Sequence, residues 1–294
     1  MQLRSPAARA PLSGLRHMAA GAFWFSVMAA LVKTAGRRLP SQEIVLVRGV
    51  VTLALSAFLV WRAGVPPFGE RRGLLVLRGV FGFTALSLFY ASLVHLPLAQ
   101  ANLIQYTNPV FTALLAAWLL RERMGAREVG CVAASLAGVV LVMHPATLLR
   151  GEAGTVSPAA AAVALGGALF SAAAYVTVRR LRGENPLVIV FYLPLVTVPA
   201  TLPLVIPHWV PPTPTEWLTL AAVGACTQFG QIHLTRGLQM ETAGRATAVA
   251  YLQVVFAALW GLLFFGERLD AWTAGGAALI LASTVVLART RRSA

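Results

Sequence analysis

Apolar runs long enough to cross a bilayer recur along this chain, separated by short polar breaks. Ten stand out, at 15–36, 41–61, 73–94, 98–120, 126–143, 158–179, 186–206, 215–236, 243–265 and 271–289. Each is close to the roughly 20 residues that carry an α-helix through hydrocarbon. Barrel strands would alternate polar and apolar residues, and these runs do not. A helix also satisfies its own backbone in lipid. The pattern predicts an all-α integral membrane protein with ten transmembrane helices. Pro158 and Pro186 stand where a first helical turn accepts proline. The stretch "PHWVPPTPTEW" (207–217) reads as a proline-rich loop with interfacial tryptophans. The seventh run carries Pro194, Pro199 and Pro203 and is expected to bend. The longest break, 144–157, divides the chain into two halves. The first run is too long for the apolar region of a cleaved signal and reads as a retained span.

Composition agrees with this pattern. Hydrophobic residues make up 58% of the chain and charged residues 12%, with a mean hydropathy of +0.74. The charged share is about half that of a soluble domain. A net charge of +14 in a soluble protein would point to nucleic acid. Here the basic residues fall between apolar runs, with no aromatic-interleaved patch. With the N-terminus placed inside, 17 Arg and Lys side chains fall in inside segments and 5 outside, while Arg48 and Arg78 lie within spans. That asymmetry predicts cytoplasmic termini and a multi-pass protein of a bacterial inner membrane. Lipid is then the expected partner and nucleic acid is not. Monomer and homodimer both stay open.

The two halves repeat. At an offset of 145 residues, 101–143 matches 246–288 without a gap, with 14 identities in 43 positions. Among them are Tyr106/Tyr251, Glu122/Glu267, Arg123/Arg268 and Gly130/Gly275. The same offset aligns Gly21/Gly166, Phe25/Phe170 and Ser26/Ser171. Each half holds five spans, an odd number, so the second copy enters the membrane upside down. The expected organisation is a basic tail (1–14), a first five-helix repeat (15–143), an external linker (144–157), an inverted second repeat (158–289) and a basic tail (290–294). Inverted repeats are a plan of secondary transporters, with substrate bound near the midplane where the halves meet.

These features, with "LVRGVV" around Arg48, "LPLAQANLIQYTNPVFTALLAAWLLRERM" and "FFGERL", resemble the EamA-type branch of the drug/metabolite transporter superfamily. The resemblance covers nearly the whole chain after the first dozen residues. It implies a transporter of small molecules such as amino acids, vitamins, nucleotide-like metabolites or drugs. It also implies a central cavity lined by the first, third, fourth, sixth, eighth and ninth helices, with the fifth and tenth peripheral.

Helical spacing picks out candidate substrate contacts. On the fourth span Asn102, Gln105, Tyr106, Pro109 and Thr112 share one face, with Asn108 on its flank. The ninth span carries Thr247, Tyr251 and Val254 on the matching stripe, with Gln253 on the flank. The eighth carries Gly224, Thr227, Gln228, Gln231 and Thr235. Intramembrane polar groups tend to face the protein interior, although interhelical hydrogen bonds that serve packing alone use the same residue types. Trp24, Phe83, Tyr90 and Tyr175 are the aromatic candidates for the cavity wall. Pro109 frees a backbone carbonyl near Gln105, as a binding site, hinge or plain kink would. The fifth span carries Gly130, Ala134 and Gly138 at four-residue spacing, a close-packing stripe.

Arg48 has three readings: it snorkels outward, pairs with Glu43, or meets a substrate carboxylate. Arg78, near the inner rim, is expected to snorkel. His95 and His233 are candidate proton carriers. All ten acidic residues sit at span ends or in loops, which weakens the case for tight proton coupling and keeps a facilitator open. Cys131 and Cys226 lie in apolar runs without ligand spacing, so neither a metal site nor a disulfide is expected. No cofactor is expected, and no phosphate-binding glycine loop is present to couple ATP. The leading function is a secondary transporter, with export the favoured direction. The alternatives are a non-transporting scaffold or sensor and, more distantly, a membrane-embedded enzyme. That last reading lacks the paired carboxylates or nucleophile and base that catalysis needs.

Overall fold

The computed structural model describes residues 13–95, 104–122, 124–142, 158–265 and 271–289. Within them the chain forms eleven α-helices and no strand. They are α1 (Ser13–Ala35), α2 (Ser41–Arg62), α3 (Arg72–His95), α4 (Asn108–Leu119), α5 (Ala126–Val142), α6 (Pro158–Arg180), α7 (Pro186–Val205), α8 (Pro214–Met240), α9 (Ala243–Ala250), α10 (Leu252–Phe265) and α11 (Ala271–Arg289). Six segments are long and apolar enough to cross a membrane: α1, α2, α3, α6, α7 with its extension to His208, and α9 with α10 taken together. The 27-residue α8 has the length but is too polar to count among them. It carries Thr227, Gln228, Gln231, His233 and Thr235 in its middle and last third.

Sequence chemistry explains the helix starts. Pro158, Pro186 and Pro214 each open a helix, where a missing N–H costs nothing. The Asn185 side chain accepts a hydrogen bond from the Leu187 amide at the start of α7. Thr213 and Glu216 form a reciprocal capping box on α8. Arg38 reaches across to Glu216, with Nε 2.7 Å from Oε1, and ties the α1–α2 turn to the start of α8. α7 holds its helical path through Pro194, Pro199 and Pro203. α4 ends on Arg121 in the left-handed region (φ 54°), one of the few places where this chain does without glycine at such a turn.

The packing exchanges the halves. α1 of the first half lies along α8 of the second, and α6 of the second lies along α3 of the first. α2 packs on α7 and α5 on α11. Swapping the two halves exchanges the α1–α8 and α3–α6 pairs and maps the α2–α7 and α5–α11 pairs each onto itself. The close seams are built from small residues. A Cβ on Gly21 of α1 would sit 3.2 Å from the Leu234 amide nitrogen of α8. One on Gly167 of α6 would sit 3.3 Å from that of Phe89 on α3. Ala164, Ala168 and Ala172 are buried on the same helix, four residues apart. Lipid tails are as apolar as leucine, so such contacts replace the hydrophobic drive that holds soluble helices together.

The glycine stripe expected on α5 is only half used. A Cβ on Gly138 would meet the Gly276 carbonyl oxygen of α11 at 2.8 Å, whereas Gly130 faces open space. Beside Gly138, the Ser135 and Ser283 hydroxyls join α5 to α11 at 2.7 Å. Gly138→Leu is therefore expected to lower stability by about 1–3 kcal/mol through overpacking. Gly130→Leu should stay within about 0.5 kcal/mol of wild type. Unfolding of the detergent-solubilised variants checks both.

Candidate functional site

Two helix interruptions face each other inside the bundle. The chain makes a helical turn at Ile104–Gln105, breaks at Tyr106–Thr107 and restarts at Asn108. The ninth predicted span, expected to be continuous, breaks at Tyr251 into α9 and α10. Pro109 accounts for the first break, since it donates no hydrogen bond to a carbonyl one turn back. No proline accounts for the second, because Val254 stands at the corresponding place. The Tyr251 hydroxyl donates to the Tyr106 carbonyl at 2.8 Å, and the rings lie 6.4 Å apart. These are the residues that the 145-residue offset equates. The amide of Val254 bonds the Tyr251 carbonyl at 2.9 Å across the second break.

Around this junction the predicted residues separate. Gln105 is half-buried, and its Oε1 is fully covered yet has no hydrogen-bond partner. Asn108 is buried and accepts from the Thr112 hydroxyl at 3.1 Å, a bond made within its own helix. Tyr106 and Tyr175 both pack against the core cluster that contains Tyr251. Phe83 and Gln253 are half-buried on α3 and α10. Asn102 lies outside the described residues, as do His95 and Tyr90 for their side chains. Trp24 stacks on the exposed ring of Phe229, 5.0 Å between centroids. Phe229 and Gln231 are about 200° apart on α8, so Trp24 is on the far side of that helix from Gln231.

The two glutamines of α8 do not act together. Gln228 is buried and accepts from Ser56 of α2 at 3.0 Å. Gln231 accepts instead from the Nη2 of Arg78 on α3, at 3.2 Å. Arg78 was expected to snorkel, and it does not: it is 2% exposed and turned into the bundle. α3 and α8 are not a closely packed pair, so this bond crosses between helices that other elements hold apart. Gly82, one turn on, makes the inward fold possible, because a Cβ there would lie 2.7 Å from the Arg78 Nη1. An arginine followed four residues later by glycine on the same helix face was the available signal. Tyr175 of α6 lies within electrostatic range of the same guanidinium. Of the three readings of Arg48, pairing with Glu43 is not seen among the described ion pairs. Glu43 is buried in the first turn of α2 and accepts from the Val210 amide at 3.0 Å.

One end of the bundle is stitched by charge. Glu122 accepts from Arg179 Nε at 2.7 Å and from the Ala243 amide at 2.9 Å. Arg179 also donates to the Gln239 carbonyl at 2.9 Å. Arg245, 2% exposed, lies 3.4 Å from Glu128 and 3.5 Å from Glu241, both buried. The acids do sit at helix ends, as the sequence indicates, yet they are partners in the protein interior rather than solvated rims. His17 and His233 meet nearby at 2.9 Å between their Nδ1 atoms. A cleft of about 460 Å³ opens there, lined by Ser13, His17, Pro186, Arg236, Gln239 and Met240.

Comparison with known proteins identifies this architecture. The EamA-like transporter family model matches the chain twice, over residues 12–144 and 158–289. The chain belongs to that family. It is 33% identical over 282 residues to the pseudopaline exporter CntI of Pseudomonas aeruginosa, covering 95% of this chain and 97% of that one. It is 31% identical over 289 residues to human solute carrier family 35 member G1, covering 94% and 78%. The S-adenosylmethionine uptake transporter of Rickettsia prowazekii is 24% identical over 275 residues, covering 91% and 92%. A solved crystal structure shares the fold, with a TM-score of 0.80 at 21% identity, over 93% of this chain and 95% of that one. This EamA-family protein is thus a multi-pass membrane transporter of small molecules, and its relatives are named for transport and not for catalysis.

The tyrosine junction yields a test. Tyr251→Phe removes the only donor in the bond to the Tyr106 carbonyl and should destabilise the protein by about 1–3 kcal/mol. Tyr106→Phe keeps that bond, which uses the backbone, and should cost less. Thermal unfolding of the two purified variants, side by side, checks the order.

Proposed function

We propose that this protein is a secondary transporter that exports small metabolites by alternating access, without ATP, through ten membrane helices arranged as two inverted five-helix repeats. Residues 15–143 and 158–289 are the two repeats, 144–157 the external linker, and both termini are cytoplasmic in a bacterial inner membrane. The observation that carries this reading is the meeting of two helix breaks at Tyr106 and Tyr251, repeat-equivalent residues joined across the halves. Discontinuous helices at a repeat interface are where secondary transporters hold their substrates. Gln105, Tyr106, Tyr175, Gln231 and Tyr251 form the centre of the proposed site. Asn108, Gln253 and Phe83 flank it, and Tyr90 and Asn102 are retained as wall residues. Trp24, which stacks on Phe229, and Gln228, bonded to Ser56, are read as further from its centre, and Arg48 is retained as an outlying candidate.

Basic segments mark the end that holds Glu122 and Arg245 as cytoplasmic. Its ion pairs tie the ends of α4, α6 and α8 to the starts of α5 and α9. In an alternating-access cycle these ties close the inner gate and part when the site opens inward. No carboxylate among the described residues lies mid-helix, which favours facilitation down the substrate's own gradient over tight proton coupling.

Proteoliposomes test both claims. Purified protein should exchange labelled substrate across the membrane with no nucleotide present. Gln105→Ala should weaken half-saturation roughly tenfold if one buried hydrogen bond of about 1.4 kcal/mol is lost. Unchanged flux and affinity in Gln105→Ala would remove Gln105 from the site. An imposed pH gradient should leave the equilibrium distribution unaltered; uphill accumulation driven by that gradient would establish proton coupling instead.

A further inference from the structure

Arg78 is the least expected group in the interior. It sits six residues into α3, about 9 Å along the helix from its first residue. It is 2% exposed. Among the described residues its one hydrogen bond goes to the neutral side chain of Gln231, and its Nε has none. No described carboxylate pairs with it: Glu122 is taken by Arg179, Glu128 and Glu241 by Arg245, and Glu216 by Arg38. Glu184, the remaining acid nearby in sequence to α6 and α7, accepts from the Glu70 and Arg71 amides. The other interior arginine, Arg245, shows the contrast, since it is surrounded by two carboxylates and the Leu287 carbonyl. An arginine in a membrane interior without a counter-charge is expensive, and such residues face substrate or ion pathways. Its planar fork matches an oxyanion in two-point contact.

We propose that Arg78 is the anchor for a single carboxylate on the transported metabolite, with Gln231 orienting its guanidinium. The inference rests on the transporter reading above and narrows its substrate class to metabolites that carry one carboxylate. One isolated cation matches one negative charge. A phosphate monoester, carrying close to two, would leave an uncompensated charge in the same low-dielectric space. At Gly82 the Arg78 guanidinium and the Leu193 side chain both lie against the helix, and an added Cβ would press on both.

Two measurements on the purified full-length protein test this. The first needs no ligand. If Arg78 is held for a substrate, replacing it with an apolar side chain of similar length removes an uncompensated buried charge. Arg78→Met should then unfold at the wild-type temperature or about 2–4 °C above it. A fall of that size or more would make Arg78 a structural tie and overturn the proposal. The second uses the twenty L-α-amino acids, benzoate and nicotinate, each beside its neutral carboxamide, with phosphoserine and phenyl phosphate as the phosphate arm. Wild-type protein should bind at least one carboxylate at least tenfold more tightly than its carboxamide, and Arg78→Met should abolish that preference. Equal binding of acid and amide, preference for the phosphate esters, an unchanged preference in Arg78→Met, or no binder in the panel would each overturn it. Proteoliposome flux separates the two levels. Flux of acid and amide alike leaves transport standing and removes the carboxylate anchor, whereas carboxylate binding without any flux keeps the anchor and removes the transport cycle.

Discussion

A single hydrogen bond, from the Tyr251 hydroxyl to the Tyr106 carbonyl, lets this protein interrupt two helices inside a membrane. A helix that stops in hydrocarbon leaves carbonyls and amides with no partner, each at a cost of several kcal/mol. Here the two interruptions face each other, so a side chain at one supplies the donor for the backbone of the other. The Val254 amide bonds the Tyr251 carbonyl at one break, and the Thr107 amide bonds the Ile104 carbonyl at the other. Neither break would be tolerated if the halves were separated. The proposed site and the interface between repeats are therefore one structural feature.

The rest of the packing serves that junction. Helices that carry the breaks must approach closely and still leave room for a substrate. The long seams, α1 with α8 and α3 with α6, are closed by Gly21, Gly230, Gly167, Ala168 and Ala172. Small residues bring backbones together there without filling the centre. α3 and α8, by contrast, are linked through long polar side chains, Arg78 and Gln231, and not through a tight seam. Close contact at the flanks with polar bridging between α3 and α8 is the arrangement a central site needs. The charged ties at one end then hold α4, α6, α8 and α9 at fixed separations.

Much of this was legible in the sequence because bilayer length, helix starts and duplication each leave a local mark. Runs near twenty apolar residues, the prolines at 158 and 186, and the 145-residue offset needed no tertiary knowledge. The Tyr106/Tyr251 pair was legible for the same reason, since an internal repeat turns sequence position into spatial symmetry. What failed was whatever depends on a neighbouring helix. Gly130 and Gly138 share a face, but only Gly138 has α11 against it. Gln228 and Gln231 share a stripe, but α2 takes one and α3 the other. Wheel position says which residues can look the same way and not what they look at.

The charged residues carry that point furthest. Sequence distance to a span end predicts that Arg78 snorkels, because it measures depth along a helix and not what the side chain meets there. In the structure the cost is set by whether a counter-charge is present. Glu128, Glu241 and Arg245 lie near helix ends and are as buried as the core, yet they neutralise one another. Arg78 lies little deeper and has no such partner. Two buried arginines in one protein thus differ in kind: the first is a fastener whose charge is consumed by the fold, and the second retains its charge. A fold that can pair one interior arginine with two carboxylates had the means to pair the other. Among the described residues Arg78 is hydrogen-bonded only to an amide, and on the carboxylate-anchor proposal its charge stays available to whatever enters between the two halves.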